Sequence, residues 1–526
     1  MSIEEILSAH LGVPVDVERY NNIINEYYKR GKVIVIGPTG SGKTTIPKLI
    51  LLEDTKNGRF RKLFYLLPTQ SLVNAKYMDF LDFSSRLPDK SKVSLLTAFS
   101  DEKDWFNPLI VSTYDFYYLI RTFQINYLGR TRQTGAPIGH VVYDELHTFA
   151  PSQLAKLTAL AKAYGNTIIT TATLHPLLRK RIEEELGART VYLEPFSTHD
   201  RVKTIEYIET EEKIDTVIEL YRRHKTCKNL IIMNTVSEAI QVFSEITGEN
   251  NIDAILSQGI IGNAAFLTSA TAIGTRQKIE QMIDAGELKT IVATQVAEVG
   301  LNYDPDLLIT DAAPVDALIQ RIGRIRSTGK VFVIKEVETL SNGKYCGIYD
   351  NELVNRAFEI IQNENINEIL VSNEAAERML EAVYRDKIGG IIEEFDTILK
   401  KAETDVHEVI TGLKDVAVSF RDEQRYVYFF DAREDDTATF DRLYRGTFEW
   451  EKNKIANKNY IYSYFFDEIK SYRDSVYVTS ISNFKHASKE GKSVFNYGYV
   501  IDNFYKILRT APEQSVIIVG KPEDIL

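Results

Sequence analysis

The feature that most constrains this chain is a glycine-rich loop that directly follows a short apolar run. The run is Val33–Ile36, and the loop from Gly37 to Thr44 reads Gly-Pro-Thr-Gly-Ser-Gly-Lys-Thr. Glycines at these spacings let backbone N–H groups wrap a phosphate at the N-terminus of a helix. Lys43 would reach the β- and γ-phosphates, and the Thr44 hydroxyl would hold Mg²⁺. The sequence therefore predicts a buried strand, a phosphate-binding loop and a helix, in that order.

Short apolar runs recur from about residue 32 to residue 334, in two series. The first series is Val33–Ile36, Leu63–Leu67, Leu109–Ser112, Val141–Tyr143 and Thr167–Thr171. The second is Leu230–Met233, Ala254–Leu256, Thr290–Ala293, Leu307–Thr310 and Val331–Ile334. Such runs, separated by helical spacers, are typical of parallel strands that are buried on both faces. Two series predict two α/β lobes with a hinge around 195–201, and phosphate sites beyond the carboxyl ends of the strands.

The rest of the chain differs from these lobes. Residues 350–413 carry apolar side chains at helical spacing, with Gly389-Gly390 between two helices, and residues beyond 416 are rich in Tyr, Phe and β-branched types. The predicted fold class is α/β, with two doubly wound parallel-sheet lobes followed by a helical segment and a smaller mixed domain. The predicted divisions are 1–29 (N-terminal helical), 30–198 (first lobe), 199–338 (second lobe), 339–414 (helical) and 415–526 (mixed α/β).

Composition sets outer limits on these predictions. A chain of 526 residues is too long for one hydrophobic core. The net charge of −11 argues against a protein that coats nucleic acid through bulk electrostatics. It does not exclude a groove with a local cluster of Lys and Arg that contacts phosphates. Two cysteines, Cys227 and Cys346, support neither a disulfide framework nor a zinc site. With no apolar stretch of membrane-spanning length, the predicted location is the cytoplasm.

An acidic pair, Asp144-Glu145, follows the apolar run Val141–Tyr143 about 100 residues after the phosphate loop. At a strand end such a pair can divide the work, because one carboxylate holds a metal while the other polarises an attacking water. The alternative is a solvated acidic turn. The position of the acidic pair, about 100 residues after the phosphate loop, favours the catalytic interpretation.

Three later segments complete an ordered set. Thr171–Thr173 follows a strand, Ala293–Asn302 lies at a strand end of the second lobe, and Gln320–Arg326 offers several guanidinium groups. Guanidinium groups facing the cleft would stabilise charge on a transferring phosphoryl group. Each segment alone is weak, since an arginine-rich helix is commonly a solvated face.

The ordered set resembles superfamily 2 helicases, and within them the CRISPR-associated helicases of type I interference. The resemblance covers about residues 30–360 and depends on whole phrases. These are Leu66–Val73, Tyr143–Phe149, Thr173–Leu178, Asn234–Ala239, Ala293–Arg326 and Tyr349–Leu353.

This resemblance implies RecA-like lobes that use ATP and Mg²⁺, and it assigns roles by position. The implied catalytic residues are Glu145, Asp144, Lys43, Arg321 and Arg324. The implied nucleotide-binding residues are Gly37, Thr39, Gly40, Ser41, Gly42, Lys43, Thr44, Thr45, Gly300, Asp304 and Gln320. Thr44 and Asp144 would hold the metal, and Thr69, Thr113 and Thr294 would contact nucleic acid.

The chain departs from the family pattern in three ways. Ser327 stands where the family has an arginine, with Arg326 one position earlier. The glutamine that reads adenine is not evident upstream of the loop, where Asn21, Asn22 and Asn25 are the nearby amides. The paired His-Asp ligands of the family's nuclease are also not evident. The expectation is a stand-alone helicase subunit that acts on single-stranded DNA, with a separate HD-type nuclease and a CRISPR surveillance complex as partners.

Two other functions share these motifs. A DExH-type RNA helicase has the same catalytic residues and differs in its substrate. An ATP-gated clamp or scaffold would recruit a nuclease without separating strands, and the serine at position 327 leaves that interpretation open.

Overall fold

The computed structural model describes most of the chain up to residue 410 and four strands beyond it. The described residues are 2–38, 40–59, 62–87, 92–97, 107–121, 138–195, 203–268, 271, 273–298, 301–326, 328–337, 343–364, 370, 372–410 and the strands at 426–431, 444–447, 476–480 and 515–519. Within these residues no helix is long and apolar enough to cross a membrane.

The first lobe is a seven-stranded sheet in the order β3-β4-β2-β5-β6-β1-β7, with every neighbouring pair parallel. Its strands are β1 Lys32–Ile36, β2 Lys62–Leu67, β3 Val93–Leu96, β4 Leu109–Thr113, β5 Ile138–Asp144, β6 Asn166–Thr171 and β7 Arg189–Tyr192. Its helices are α1 Ile3–Leu11, α2 Asn21–Arg30, α3 Thr45–Lys56, α4 Gln70–Ser85, α5 Tyr114–Arg121, α6 Pro151–Ala163 and α7 Pro176–Leu186.

Helices cover both faces of this sheet, which explains its continuous apolar strands. Ile34 and Ile36 of β1 belong to the core beneath α5–α7, while Val33 and Val35 belong to the opposite core beneath α1–α4. Alternate side chains of a strand point to opposite faces, so a strand buried on both sides needs apolar residues at every position. The strands predicted here from apolar runs are confirmed.

The second lobe is a seven-stranded sheet in the order β10-β11-β12-β9-β13-β14-β8. Its strands are β8 Lys203–Thr210, β9 Asn229–Ile232, β10 Ile260–Ile261, β11 Ala264–Leu267, β12 Thr290–Ala293, β13 Leu307–Asp311 and β14 Gly329–Glu336. Its helices are α8 Lys213–His224, α9 Val236–Thr247, α10 Ile252–Gln258, α11 Ile273–Asp284 and α12 Val315–Ile322. The pairs are parallel except β10 with β11, which form an antiparallel edge. Two doubly wound lobes were predicted, and they are confirmed.

One predicted strand of this lobe is wrong. Ala254–Leu256 lies in the helix α10, and the strand that pairs with β12 is β11, ten residues later. A run of three apolar residues fits a buried strand and the buried side of a short helix equally well, so periodicity could not separate them. The half-exposed edge strand β8 was not predicted, because its burial alternates along the chain.

The helical segment after the second sheet contributes to both lobes. It comprises a small hairpin of β15 Lys344–Tyr345 and β16 Tyr349–Asp350, followed by α13 Asn351–Asn363, α14 Asn373–Tyr384 and α15 Ile388–Ile410. Helices α13 and α14 pack into the core of the second lobe, whereas α15 packs into the core of the first. Because α15 begins at Ile388, the break between helices precedes Gly389-Gly390 rather than falling on it.

Four further strands form a mixed sheet in the order β18-β17-β20-β19. They are β17 Tyr426–Asp431, β18 Tyr444–Thr447, β19 Val476–Ser480 and β20 Ser515–Val519. The β17–β20 pair is parallel and the other two pairs are antiparallel.

Candidate nucleotide-binding cleft

The glycine-rich loop lies between the end of β1 and the start of α3. Gly40 and Gly42 have φ angles of 79° and 89°, a region that side chains other than glycine rarely adopt. A Cβ at Gly37 would lie 2.6 Å from the Ser41 Oγ and 2.8 Å from the Leu193 carbonyl oxygen. The loop geometry therefore requires glycine at these three positions. Thr39 lies outside the described residues, and Thr45 is the buried first residue of α3.

The Lys43 side chain folds back into this loop. Its Nζ donates to the carbonyl oxygens of Gly37, at 2.6 Å, and Pro38, at 3.1 Å. The side chain is buried, and the two backbone carbonyls satisfy its Nζ hydrogen bonds inside the loop. A positive group held at the mouth of a phosphate loop is what phosphate recognition requires.

Asp144, the last residue of β5, is held by donors from three directions. Its Oδ1 accepts from the Thr170 Oγ1 at 2.5 Å and from the Glu145 backbone N–H at 3.0 Å, and its Oδ2 accepts from the Tyr65 hydroxyl. Burial raises the pKa of Asp144 and the neighbouring Glu145 carboxylate raises it further, while the bonds from Thr170 and Tyr65 oppose this. The carboxylate is thereby fixed in one orientation.

Asp144 and Thr44, the two predicted metal ligands, share one neighbour. The Tyr65 hydroxyl donates to Asp144 and also lies close to the Thr44 side chain, so both predicted ligands lie near a single phenol oxygen. The Thr44 Oγ1 also accepts from the Lys76 Nζ at 3.2 Å. A carboxylate and a hydroxyl form an oxygen donor set that suits Mg²⁺, which keeps several waters and needs few protein ligands. Tyr65 and Lys76 were not predicted, since no motif marks them.

Glu145 has a left-handed backbone, with φ 59° and ψ 42°. Few residues other than glycine adopt this conformation, and where they do it is commonly at functional sites. Its Oε2 lies 3.6 Å from the His147 Nδ1, so the Glu145 carboxylate lies beside the histidine that follows it in the motif.

His147 connects the two lobes. Its Nδ1 lies 2.9 Å from the Thr171 Oγ1 at the end of β6, and its ring lies beside the Gln320 side chain of α12, which acts to raise its pKa. Burial, with the nearby Lys43 charge, lowers the pKa of His147 to about 4. A neutral imidazole therefore links the acidic motif of the first lobe to the arginine-rich helix of the second. Sequence reasoning did not single out His147, although it lies within the quoted phrase Tyr143–Phe149.

Arg321 lies inside the second lobe. Its side chain is fully buried, and every nitrogen of the guanidinium group has an acceptor. The acceptors are the side chains of Glu298, Thr310, Asn234 and Tyr349 and the Asp311 carbonyl. The Glu298 carboxylate lies 2.7 Å away in an ion pair. Arg321 thus holds α12 against β13 and the loop after β12.

Arg324, one turn further on, faces the first lobe. Its Nη1 and Nη2 donate to the carbonyl oxygens of Leu301 and Glu298, while its Nε has no partner. Burial lowers the pKa of Arg324 to about 10, and the Glu145 carboxylate opposes this by electrostatic attraction across the cleft. Of the two predicted arginine fingers, Arg324 is the one that the structure brings to the acidic pair.

The remaining predicted residues are distributed as follows. Gly300 lies outside the described residues, and Asp304 accepts from the Arg326 backbone N–H at 2.8 Å within the second lobe. The Arg326 Nη1 donates to the Asn302 Oδ1 at 3.1 Å, so this side chain lies on the lobe surface. Ser327 is outside the described residues.

Thr69, Thr113 and Thr294 all follow strand ends, on the same edge of the sheets as the phosphate loop. Thr69 caps α4 by accepting from the Leu72 N–H, and Thr113 accepts from the Phe116 N–H at the start of α5. Thr294 is buried at the end of β12. Two of the three threonines therefore mark helix N-termini, where backbone N–H groups favour anionic oxygens.

Arg19 and Tyr20 brace the phosphate loop from the N-terminal side, a role that was not predicted. The Arg19 Nη2 donates to the Ser41 carbonyl at 3.2 Å and to the Glu194 carbonyl, and the Tyr20 hydroxyl donates to the Gly42 carbonyl at 3.2 Å. Asn21 is exposed. The resemblance implied that an amide upstream of the loop would read adenine. The contacts to the loop come instead from Arg19 and Tyr20, which directly precede Asn21.

Known proteins are similar to this chain in sequence and in fold. Residues 20–180 match the family model for DEAD/DEAH box helicases, and residues 225–328 match the model for the C-terminal part of the CRISPR-associated nuclease/helicase Cas3. The chain is 24% identical over 476 residues to the CRISPR-associated nuclease/helicase Cas3 of Methanothermobacter thermautotrophicus, covering 81% of this chain and 53% of that protein. It spans about half the length of the curated relatives it matches.

Solved structures give the same fold. The T. fusca Cas3 structure with AMPPNP aligns with a TM-score of 0.58 at 18% identity, covering 76% of this chain and 57% of that one. The DNA-bound DUF1998 helicase MrfA aligns with a TM-score of 0.57 at 15% identity, covering 85% of this chain and 63% of that one.

Two lobes of this kind, with a glycine-rich loop and an acidic pair on one and a glutamine-arginine helix on the other, have the RecA-like fold of the helicase structures with which they align, and the first lobe matches the DEAD/DEAH box helicase model. Among helicases with this fold, the chain is related to the CRISPR-associated Cas3 helicases.

Proposed function

We propose that this protein is an ATP-driven motor that moves along a DNA strand and separates duplexes during CRISPR interference. One observation carries the proposal. A cavity next to the phosphate loop is lined from the first lobe by Pro38 and Thr173 and from the second by Gln320. Gln320 lies beside His147 there, and Glu145 attracts the Arg324 guanidinium, so the second lobe completes a site that begins at the loop. A nucleotide bound between these groups would hold the lobes together, and its hydrolysis would release them.

Each side chain has a proposed part in hydrolysis. Lys43 would turn from its backbone acceptors to the β- and γ-phosphates, and Glu145 would orient the attacking water. Arg324 would stabilise charge that develops on the γ-phosphoryl group, because its guanidinium already faces the acidic pair. Mg²⁺, held by Thr44 and Asp144, would neutralise phosphate charge. Arg321 would act indirectly, by fixing the helix that carries Gln320.

The proposed path of the strand crosses the edge where Thr69, Thr113 and Thr294 lie. The helix N-termini at Thr69 and Thr113 favour phosphate oxygens, which carry no base identity. Contacts of this kind make binding tolerant of sequence and sensitive to salt. If both lobes hold the strand, each opening and closing shifts the protein along it.

The proposed partners are a CRISPR surveillance complex and a separate HD-type nuclease, acting in the cytoplasm. The relative in Methanothermobacter thermautotrophicus is named a nuclease/helicase and the one in Thermoproteus tenax a helicase, and residues 20–180 of this chain match the DEAD/DEAH box helicase model. The described residues contain one cluster of potential metal ligands, Glu238, Asp311 and Cys346. The Lys213 ammonium lies 3.0 Å from the Asp311 Oδ2 at its centre, so this cluster suits an ion pair better than a nuclease metal.

The test is a strand-displacement assay on fork-shaped duplexes, run with ATP and with its non-hydrolysable analogue. Wild-type protein should displace a DNA strand only with hydrolysable ATP, and Lys43→Ala should displace none. ATP hydrolysis measured with single-stranded DNA and with single-stranded RNA identifies the substrate. Adding the separate nuclease with either nucleotide shows whether DNA cleavage requires ATP-driven movement along the strand.

Three outcomes would contradict the proposal in different ways. Stimulation by RNA but not by DNA would indicate a DExH-type RNA helicase. Hydrolysis without displacement, together with nuclease recruitment, would indicate an ATP-gated clamp. Equal displacement by wild-type protein and Lys43→Ala would exclude the assigned site altogether.

A further inference from the structure

The helical segment crosses from one lobe to the other. Met379, Leu380 and Val383 of α14 are buried in the core of the second lobe, whereas Phe395 and Leu399 of α15 are buried in the core of the first. Buried apolar contacts of this kind hold both ends of the segment firmly. The lobes are therefore joined by these helices in addition to the chain between β7 and β8.

Tyr384, at the end of α14, contacts both lobes. Its hydroxyl donates to the Asp316 Oδ1 at 2.9 Å, in the first turn of α12. Its ring packs edge-on against His175 of the first lobe, with the centroids 6.2 Å apart. His175 follows the Thr171–Thr173 segment and caps α7, accepting from the Leu177 N–H at 3.2 Å. Tyr384 thus stands between the segment after β6 and the helix that carries the cleft residues of the second lobe.

Ion pairs hold the same face of the segment to the first lobe. Glu377 of α14 accepts from Arg179 and from the Tyr192 hydroxyl, the latter at 2.8 Å. Arg181 donates to Asp396 of α15 at 2.7 Å. Because Glu377 and Tyr384 are seven residues apart, they lie on one side of α14. That side is fixed to the first lobe, and α12 is attached to it through Tyr384.

We propose that Tyr384 is a positioning residue, which sets α12 against the first lobe and so places Gln320 and Arg324 opposite His147 and Glu145. The inference builds on the proposed ATPase function. Asp316 lies four residues before Gln320 on the same helix, so a shift of its anchored turn moves the whole helix. The helical segment thereby takes part in assembling the catalytic cleft without touching the nucleotide.

The test compares two tyrosine variants that each lose only a hydroxyl. Tyr384→Phe removes the bond to Asp316 and keeps the ring against His175. Tyr207→Phe is the matched control, because its hydroxyl donates at 3.1 Å to the Ile361 carbonyl of α13, within the second lobe. Displacement of catalytic groups by a fraction of an ångström lowers turnover, so kcat of Tyr384→Phe should fall about tenfold, with KM for ATP within about twofold of wild type. The control should keep wild-type values.

Hydrogen–deuterium exchange gives a second measurement that needs no activity. Peptides that cover 315–326 should exchange faster in Tyr384→Phe than in wild type or Tyr207→Phe. Asp316→Asn keeps an acceptor oxygen for the Tyr384 hydroxyl, so this variant by itself should retain most of the wild-type turnover. Combined with either tyrosine variant, it should not restore any activity that the tyrosine substitution removed. The inference is wrong if Tyr384→Phe matches wild type in both measurements, if both tyrosine variants change equally, or if KM alone changes. An inactive wild type would contradict the proposed function, and the exchange comparison would still decide the role of Tyr384.

Discussion

The Gln320 side chain of α12 lies beside the ring of His147, so a residue of the second lobe reaches the acidic motif of the first. The Lys43 ammonium lies near the same imidazole and contributes to the lowering of its pKa. The phosphate loop, the acidic pair and the glutamine-arginine helix therefore meet around one neutral histidine.

Glu145→Gln should bind ATP with near wild-type affinity and hydrolyse it at least about 100-fold more slowly, because an amide cannot polarise the attacking water. Lys43→Ala should abolish turnover. A nucleotide-binding titration and a steady-state assay measure the two effects. Full activity in Glu145→Gln would contradict its assigned role.

Arg324 and Arg321 should respond differently to truncation. Arg324→Ala should lower kcat by about 100-fold or more at nearly unchanged ATP affinity, since it removes charge stabilisation in the transition state. Arg321→Ala should instead lower the free energy of unfolding by about 3–5 kcal/mol, because it leaves the Glu298 carboxylate buried without its partner.

Both arginine variants need the same two measurements, which are single-turnover hydrolysis and urea unfolding. A stable Arg321→Ala protein that has lost only hydrolysis would reassign the finger role to Arg321. Arg326→Ala serves as the control, because its side chain lies on the surface beside Asn302. That variant should match wild type in both measurements.

His147 should make the protein less stable in mild acid. Its folded pKa of about 4 lies below the ordinary value of 6.5, so the unfolded chain binds more protons between these limits. The contribution of neutral His147 to the free energy of unfolding is therefore present at neutral pH, and it is lost as the pH drops from 6.5 toward 4. Between pH 7 and pH 5 this single group should cost about 2 kcal/mol.

The measurement is urea unfolding of wild type and His147→Asn at both pH values. The variant should lose about 2 kcal/mol less than wild type over this interval. His175, whose pKa burial also lowers to about 4, should contribute in the same direction in both proteins. An equal acid loss in wild type and variant would show that His147 titrates normally.

Arg19→Ala should raise KM for ATP about tenfold with little change in kcat, because it removes the donor that braces the Ser41 carbonyl of the phosphate loop. Steady-state kinetics measure both parameters. Arg30→Ala is the matched control, since that arginine pairs with Glu26 on the outer side of α2 and does not contact the loop. A normal KM in Arg19→Ala would limit Arg19 to a structural role.

Local signals predicted much of the fold. Apolar runs identified the central strands of both lobes, because a strand covered on both faces must be apolar throughout. They did not identify the edge strand β8 or the helix α10, where burial on one side leaves a weaker pattern. The phosphate loop and the acidic pair were predictable because their chemistry depends on adjacent residues.

The sequence by itself determined that Lys43, Thr44, Asp144 and Glu145 lie at or just after strand ends, because the apolar runs before them are local patterns. The phosphate and metal roles proposed for these residues stay predictions. Only the tertiary structure decided which arginine faces them. Arg321 lies in the last turn of α12 and Arg324 follows the end of that helix, three residues later, and the sequence does not show that Glu298 and Asn234 enclose the first. Likewise, Tyr65, His147, Tyr384 and Arg19 acquire their roles from chain segments far away in sequence. Distances of this kind depend on how the helices and sheets pack, and no local pattern encodes them.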